Sequence, residues 1–352
     1  MPDGGRWRIG LLAASALVAL ALGLAADAAW AARPPKKTTT PAEKTPGKEG
    51  GDAAALEVFR LPRNYRNEDG SFNQDAIVAQ QKRRLDVINQ KLGTKLRMVE
   101  TAHYLVFSEA DGAMTSLFVR WSESLYANLC QQFSIEPRER VWDGKCILIL
   151  LNARAKFQQF AKDFDEHDAS DAGAFFAWET YAPTEPQLVH MAFPLDDRDT
   201  RRLQELFAHE GTHAFIQLYK RTVELPLWLH EGLAEYMTVV NDPTLRPEKA
   251  AAALQTARSS KSISRVLKAG TDDSLSRQDY SIAYTLVDCL IAAGRSKFKE
   301  FILLLKDGKD QEAALQATYG CDRATLEKKW RAYMTANENA FKPGPTTPTR
   351  HR

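Results

Sequence analysis

The sequence predicts an α+β fold, with strands confined to the first part of the chain and helices alone in the second part. Two continuous apolar runs of strand length lie in the first part: KCILILL at residues 145–151 and QLVHMAF at residues 187–193. Such runs are typical of strands that are covered on both faces. Beyond residue 227, apolar residues recur at helical spacing and no run has comparable strand character.

The composition is that of a soluble globular protein with enough apolar residues for a sizeable core. The 352 residues are 44% hydrophobic and 26% charged. The 47 basic and 45 acidic residues leave a net charge of +2. Because this balance produces no strong electrostatic field, we expect no nucleic-acid partner.

The N-terminus has the pattern of a signal peptide. Arg6 and Arg8 precede an uninterrupted apolar or small stretch at residues 9–26, and Ala-Trp-Ala at residues 29–31 offers small residues for cleavage. We therefore predict a cleaved signal peptide over residues 1–31. The alternative is an uncleaved membrane anchor, because eighteen apolar residues just reach spanning length.

Export would place the protein in the periplasm, the cell envelope or the extracellular space, with no stable membrane insertion after cleavage. Residues 32–52 are rich in Pro, Thr, Lys and Gly, which predicts a disordered linker. One domain is expected over residues 53–336, with its sheet-containing part ending at about residue 220. Residues 337–352 are again rich in Pro and Thr, which predicts a disordered tail.

The four cysteines are candidates for disulfides if the chain is exported. Cys130, Cys146, Cys289 and Cys321 are even in number, and an exporting cell places them in an oxidising compartment. Four cysteines allow three pairings, of which proximity along the chain favours Cys130–Cys146 with Cys289–Cys321. The alternative is that some of them are buried free thiols.

The first part of the chain alternates helices with strands. Periodicity predicts helices at residues 73–92, 110–133 and 153–164 and a strand or hairpin at residues 95–108, besides the two strands named above. Residues 167–184 lack clean periodicity and are a candidate for a segment over a cleft. The strand at residues 187–193 precedes the next helix, so we expect a sheet edge there that can pair with an extended peptide.

Two consecutive helices are predicted next, at residues 199–219 and 227–240. Gly211 lies inside the first helix, where a glycine lowers helix stability by about 1 kcal/mol relative to alanine. We therefore expect a packing reason for it, such as a neighbouring backbone close behind it. Six further helices are predicted at residues 247–259, 263–267, 280–293, 297–305, 311–319 and 323–335.

The segment HEGTH, residues 209–213, has the spacing of a metal site. On a helix, His209 and His213 are one turn apart on one face, so both imidazoles can reach one ion. Glu210 then points beside that ion, where a water would be bound. A catalytic Zn²⁺ usually has three protein ligands, and Glu231 on the following helix is placed to be the third. A surface helix with an accidental pair of histidines is the alternative.

The position of Glu235 argues against an accidental pair of histidines on a surface helix. It lies four residues after Glu231, on the same helical face, where its carboxylate can accept a hydrogen bond from a ligand histidine. Metal-bound histidines nearly always have such an orienting partner. We therefore predict a Zn²⁺ site.

HEGTH followed by P-x-W-L-x-E-G-L-A-E-Y resembles the gluzincin metallopeptidases, and most closely the peptidase MA-like domains of exported bacterial proteins. The resemblance is specific over residues 209–236 and extends, as an order of elements, over residues 101–333. It implies a small mixed sheet ahead of the metal helix, an all-helical lobe after it, and hydrolysis of peptide bonds. It also implies His209, His213 and Glu231 as metal ligands. The same resemblance implies Glu210 as catalytic base and Glu235 as the carboxylate that hydrogen-bonds a ligand histidine.

The sequence departs from the aminopeptidase members of this group. It has no counterpart of the GxMEN-type stretch that captures a free amine, so an endopeptidase is the better expectation. It also lacks the third histidine of the HExxHxxGxxH pattern, since AFIQLYKR follows His213.

The reaction also needs a donor for the oxyanion besides the metal. Tyr280 and Tyr284 are candidates one turn apart, and the resemblance favours Tyr280 because related domains carry a tyrosine opening a similar helix. His190 on the proposed edge strand is a weaker candidate. The remaining histidines, His103, His167 and His230, are expected to be structural or surface residues.

The leading hypothesis is an exported zinc-dependent metallopeptidase that acts on a peptide or protein substrate. A second hypothesis is a module that binds peptides or the cell envelope and retains a structural zinc without turnover. A third is a metal-dependent hydrolase of another acyl group, because HExxH specifies an activated water and not its target.

Overall fold

The structure is a computed structural model that describes residues 7–8, 58–136, 139–180, 184–220, 223–270 and 273–342. Apart from Trp7 and Arg8, the segments predicted as signal peptide and linker lie outside the described residues, as do the last ten residues of the predicted tail. The division into signal peptide, linker, domain and tail stays a prediction.

A mixed β-sheet forms the middle of the first part of the chain. Its strands are β1 (Trp7–Arg8), β2 (Arg97–Glu100), β3 (Tyr104–Ser108), β4 (Cys146–Leu151), β5 (Phe175–Thr180) and β6 (Gln187–Pro194). Their order across the sheet is β1-β5-β6-β4-β3-β2. Strands β3, β4 and β6 are parallel, whereas β1, β2 and β5 pair antiparallel with their neighbours. The expected mixed sheet and the hairpin within residues 95–108 are confirmed.

Helices flank the sheet and then make up the rest of the described chain, which confirms the α+β class. The first four are α1 (Gln74–Leu92), α2 (Gly112–Phe133), α3 (Arg154–Asp165) and α4 (Thr200–Leu218). The helical part contains α5 (Leu227–Asn241), α6 (Arg246–Ala257), α7 (Ser264–Lys268), α8 (Arg277–Ala292), α9 (Arg295–Lys306), α10 (Gln311–Tyr319) and α11 (Arg323–Ala336).

Apolar layers cover both faces of the sheet. In β4, Leu148 and Leu150 join an apolar cluster with residues of α2 and α4, whereas Ile147 and Ile149 join the opposite cluster with α1 and α3. Successive side chains of a strand point to opposite faces, so a strand buried on both faces reads as one apolar run. The first cluster continues into the helical part, which places α4 between the sheet and that part.

Two expectations about strands are wrong. Residues 167–184, a candidate for a segment over a cleft and without a predicted strand, contain β5, whose residues from Phe175 to Glu179 are all buried. Burial on both faces removes the alternation that would have marked it as a strand. Strand β6 does not form a sheet edge, because it lies between β4 and β5. The strand at that edge is the two-residue β1, which pairs with part of β5.

Gly211 and Gly232 mark close packing against different kinds of atoms. A Cβ on Gly211 would lie 2.5 Å from Leu125 Cδ2, so its close neighbour is a side chain and not the expected backbone. A Cβ on Gly232 would lie 2.3 Å from the carbonyl oxygen of Ala283. Helices α5 and α8 therefore approach each other at the level of their backbones.

All four cysteines are buried free thiols in this structure, so the favoured pairing is not formed. Closeness along the chain does not bring two Cβ atoms within the narrow range that a disulfide needs. Burial raises the pKa of Cys130 to about 11 and that of Cys289 to about 12, which suppresses the reactive thiolate.

The described chain ends in a short 3₁₀ helix, Glu338–Phe341, that follows α11. Phe341 is buried in the main apolar cluster, so ordered packing continues a few residues past position 336. None of the described helices combines the length and the apolarity that crossing a membrane requires.

Candidate metal centre

Helices α4 and α5 carry the HEGTH and WLHEG segments. Helix α4 begins after Asp199, whose side chain accepts hydrogen bonds from the backbone N–H groups of Arg201 and Arg202. Helix α5 begins directly after Pro226, which suits a helix N-terminus because no N–H donor is needed there. Every residue of α4 from position 206 to 218 is buried, so the two segments meet deep in the protein.

His209, His213 and Glu231 converge at one point between these helices. The Nε2 atoms of the two histidines are 3.0 Å apart. Glu231 Oε2 lies 3.4 Å from His209 Nε2 and 3.6 Å from His213 Nε2. Ligands of a tetrahedral metal with bonds of about 2.1 Å are about 3.4 Å apart, so the three atoms fit three corners of such a site. No other His, Cys, Asp or Glu cluster of this kind occurs within the described residues.

The charges at this point favour a cation. Burial opposes the charge of Glu231, but the two histidines outweigh burial and hold the pKa of Glu231 well below its ordinary value. Burial also opposes a charge on His209, yet Glu231 and Glu235 outweigh it and raise the pKa of His209 to about 10. The carboxylates thus demand positive charge between them, which a divalent metal ion would supply.

Glu210 lies buried beside the converging donors. Its side chain is 2% exposed, and its Oε1 atom has no hydrogen-bond partner in the described part of the chain. Burial raises the pKa of Glu210 to about 7, against the opposing effect of His209. A carboxylate with a pKa near neutrality is suited to accept a proton and release it again.

Glu235 lies behind His209, as its position on α5 predicts. Its Oε1 atom is 3.2 Å from His209 Nδ1, and its Oε2 atom is 2.7 Å from Lys249 Nζ on α6. Burial would raise the pKa of Glu235, but Lys249 and His209 outweigh burial and hold it at about 2. Lys249 also pairs with Glu205 on α4. Lys249 could not be identified from local sequence, because its contact with Glu235 depends on how α6 packs.

Tyr280, and not Tyr284, lies at the converging residues. Glu231, Glu235 and Glu210 lie near the Tyr280 hydroxyl, and burial together with these three carboxylates raises its pKa well above the ordinary value. Tyr284 is fully buried, and its hydroxyl has no hydrogen-bond partner among the described residues.

His190 is not placed to act as an oxyanion donor. It lies on β6 between Val189 and Met191, which both face the apolar cluster on the α4 side of the sheet. The His190 side chain therefore points to the opposite face. There its Nε2 atom is 3.0 Å from Asp165 Oδ2, at the end of α3.

His230 is the site residue that sequence reasoning missed. We expected a structural or surface histidine, but its ring is buried and stacks on the His213 ring, with centroids 4.1 Å apart and an angle of 10°. Neither His230 nitrogen has a hydrogen-bond partner within the described residues. Phe176 of β5 stacks near His213 as well, with centroids 6.1 Å apart. The sequence feature that could have indicated a role for His230 was its position directly before Glu231.

Lys306 on α9 fixes the connection between α4 and α5. Its ammonium group donates to the carbonyl of Gln217 at 3.2 Å, at the end of α4, and to the carbonyl of Val223 at 2.7 Å. Burial lowers the pKa of Lys306 to about 7. A buried amine therefore holds the chain between the two helices that carry the site.

Comparison with known proteins covers the same part of the chain. Residues 204–336 match the family model described as the Peptidase MA superfamily. A comparison with curated proteins gave no match. The matched range contains the HEGTH part of α4, all of α5 and Tyr280, so the expected peptidase MA-like domain is confirmed there. The match supports a metallopeptidase-like function.

Proposed function

We propose that this chain is an exported zinc-dependent endopeptidase whose metal is held by His209, His213 and Glu231. The observation that carries the proposal is the convergence of three buried donor atoms, 3.0 to 3.6 Å apart, next to the unpaired carboxylate of Glu210. Two neutral nitrogens and one carboxylate are a common ligand set of catalytic zinc.

Zinc held there would lower the pKa of a bound water toward about 7 and polarise the carbonyl of a substrate. Glu210 takes the proton of the attacking water and passes it to the leaving amine. The Tyr280 hydroxyl, which lies near Glu231, donates a hydrogen bond to the developing oxyanion. Its raised pKa keeps the hydroxyl protonated, as a donor must be.

The substrate of this proposal is an extended peptide along β5. Strand β5 pairs with β6 on one side, and on its other side only Trp178 and Glu179 pair, with β1. Among the described residues, no strand pairs with buried Phe175, Phe176 and Ala177 on that side. Peptides commonly bind by adding a strand to such an edge. Phe176 also packs near His213, which brings this edge to the metal centre.

Replacement of Glu210 by Gln tests the proposal. We expect Glu210→Gln to bind one Zn²⁺ per chain and to lose hydrolysis of a peptide library by at least about a hundredfold, because proton transfer is worth that much. Metal content is measured by elemental analysis, and cleavage by mass spectrometry with and without a chelator.

Two variants serve as controls for this experiment. His209→Ala should lose the metal together with activity, whereas Glu123→Gln should keep both, since Glu123 pairs with His103 outside the site. Cleavage by Glu210→Gln at the parent rate would refute the assigned role of Glu210. Bound zinc without cleavage by the parent protein would instead favour a module that binds peptides or the cell envelope.

A further inference from the structure

A chain of charged contacts leads away from the metal centre and crosses three helices. His209 Nδ1 is 3.2 Å from Glu235 Oε1, and Glu235 Oε2 is 2.7 Å from Lys249 Nζ. Lys249 also forms an ion pair with Glu205, which lies on α4 one helical turn before His209. Lys249 on α6 therefore joins the two helices that carry the metal ligands.

This chain of contacts is largely shielded from water. The side chain of Lys249 is 14% exposed and that of Glu235 is 6% exposed. A buried carboxylate without a cation partner is costly and tends to turn toward solvent. Lys249 holds one oxygen of Glu235, which leaves the other oxygen facing His209.

We propose that Lys249 is a positioning residue for the metal centre, which acts on the metal through Glu235 and His209. A ligand histidine that donates to a fixed carboxylate is held in one tautomer and one ring orientation, and it is a stronger ligand. Loss of such outer partners typically weakens metal binding by about tenfold to a hundredfold.

The sign of the effect separates this role from a simple effect of charge. Lys249 is itself a cation near the site, so without a positioning role its removal would strengthen the attraction for a divalent metal. With a positioning role, its removal weakens metal binding instead. The proposal rests on the metal site proposed above, but it does not depend on the chemistry that the site performs.

The experiment compares the Zn²⁺ affinities of Lys249→Met, Lys249→Arg and the parent protein by competition with a chromophoric chelator. We expect Lys249→Met to bind Zn²⁺ at least about tenfold more weakly. Lys249→Arg keeps the charge and should recover part of that loss. The absorption spectrum of the Co²⁺-loaded protein should change in Lys249→Met, because the orientation of His209 changes.

Lys145→Met is the matched control. Lys145 has a side chain 15% exposed and an ion pair with Glu100 at 3.0 Å, but it contacts none of the metal-site residues. It should leave both the Zn²⁺ affinity and the Co²⁺ spectrum unchanged. An equal loss in Lys145→Met would show a general loss of stability and overturn the proposal.

A double-mutant cycle tests whether Lys249 acts through Glu235. In the background of Glu235→Gln, Lys249→Met should cause little further loss of Zn²⁺ affinity, because the two residues act as one unit. Fully additive losses would overturn the proposal, as would a Lys249→Met protein that binds Zn²⁺ as tightly as the parent or more tightly. If Lys249→Met fails to fold, Lys249→Arg and Glu205→Gln replace it in the cycle. These measurements need no peptide, so a protein without peptidase activity still decides the question.

Discussion

The two histidines of the proposed metal site are supported in different ways. His209 is backed by a carboxylate, since Glu235 Oε1 forms an ion pair with its Nδ1 atom at 3.2 Å. The Nδ1 atom of His213 forms neither an ion pair nor a hydrogen bond within the described chain. The His213 ring is instead stacked closely on His230 and lies near Phe176. Stacking restricts the tilt of a ring, so it can orient a ligand where no hydrogen bond does.

Replacement of His230 tests this support. We expect His230→Ala to weaken Zn²⁺ binding about threefold to tenfold, because an aromatic pair contributes about 0.5–1.5 kcal/mol beyond burial. His230→Phe keeps a ring in the stack and removes two buried nitrogens without partners, so it should bind Zn²⁺ nearly as well as the parent. Chelator competition measures both. If His230→Phe loses as much affinity as His230→Ala, a ring nitrogen of His230 is required and stacking does not explain its role.

At the residue scale, the sequence predicts what depends on fixed spacing. His209 and His213 share a helical face by their separation alone, and Glu235 follows Glu231 by one turn. His230 could not be placed in the same way, because its ring meets His213 only through the angle between α4 and α5. Lys249 depends on a third helix, and helix packing leaves little trace in local sequence.

At the element scale, the positions of the ligand helices depend on small residues. Gly232 lets α5 approach the backbone of α8, since a Cβ there would lie 2.3 Å from the Ala283 carbonyl oxygen. Gly211 leaves room for Leu125 behind α4. A helical Gly alone predicts that a close neighbour exists. It does not tell whether that neighbour is a backbone atom, which cannot yield, or a side chain, which can.

The two glycines should therefore respond differently to Ala. Gly232→Ala gains about 1 kcal/mol of helix propensity, but overpacking against a backbone costs about 1–3 kcal/mol, so we expect net destabilisation. Gly211→Ala should have a free energy of unfolding near that of the parent, because Leu125 can rotate its terminal methyl away. Urea denaturation of both variants measures the difference. Destabilisation of Gly211→Ala equal to that of Gly232→Ala would contradict this explanation.

The strands likewise show that local sequence predicts an element but not its neighbours in the fold. The apolar runs of β4 and β6 were predicted as strands, because an uninterrupted apolar segment of that length is typical of a strand buried on both faces. Their order in the sheet was not predictable from the runs themselves. Strand β5 follows β4 in sequence but pairs with the far side of β6, which moves the open edge away from the strand that we expected there.

At the scale of the whole molecule, the metal centre lies at the junction of the sheet-containing part and the helical part. Helix α4 packs in the apolar cluster with the sheet, and the same cluster continues through α5 and α8. Among the described charged side chains around the site, the carboxylates Glu205, Glu231 and Glu235 face Lys249 and His209, whose pKa Glu231 and Glu235 raise. One negative charge therefore remains in a buried place, and it opposes folding unless a further cation neutralises it.

Metal binding should consequently stabilise the fold as a whole. An ion that binds only the folded state adds about 2.7 kcal/mol when its free concentration is a hundred times Kd. For a domain of this size, that corresponds to a rise in Tm of at least about 5 °C. Calorimetry of the parent protein with excess Zn²⁺ and with a chelator measures the shift. His209→Ala, which lacks one ligand, should show little or no shift under the same two conditions. A Tm of the parent that is the same with zinc and with chelator would contradict a divalent metal at this centre.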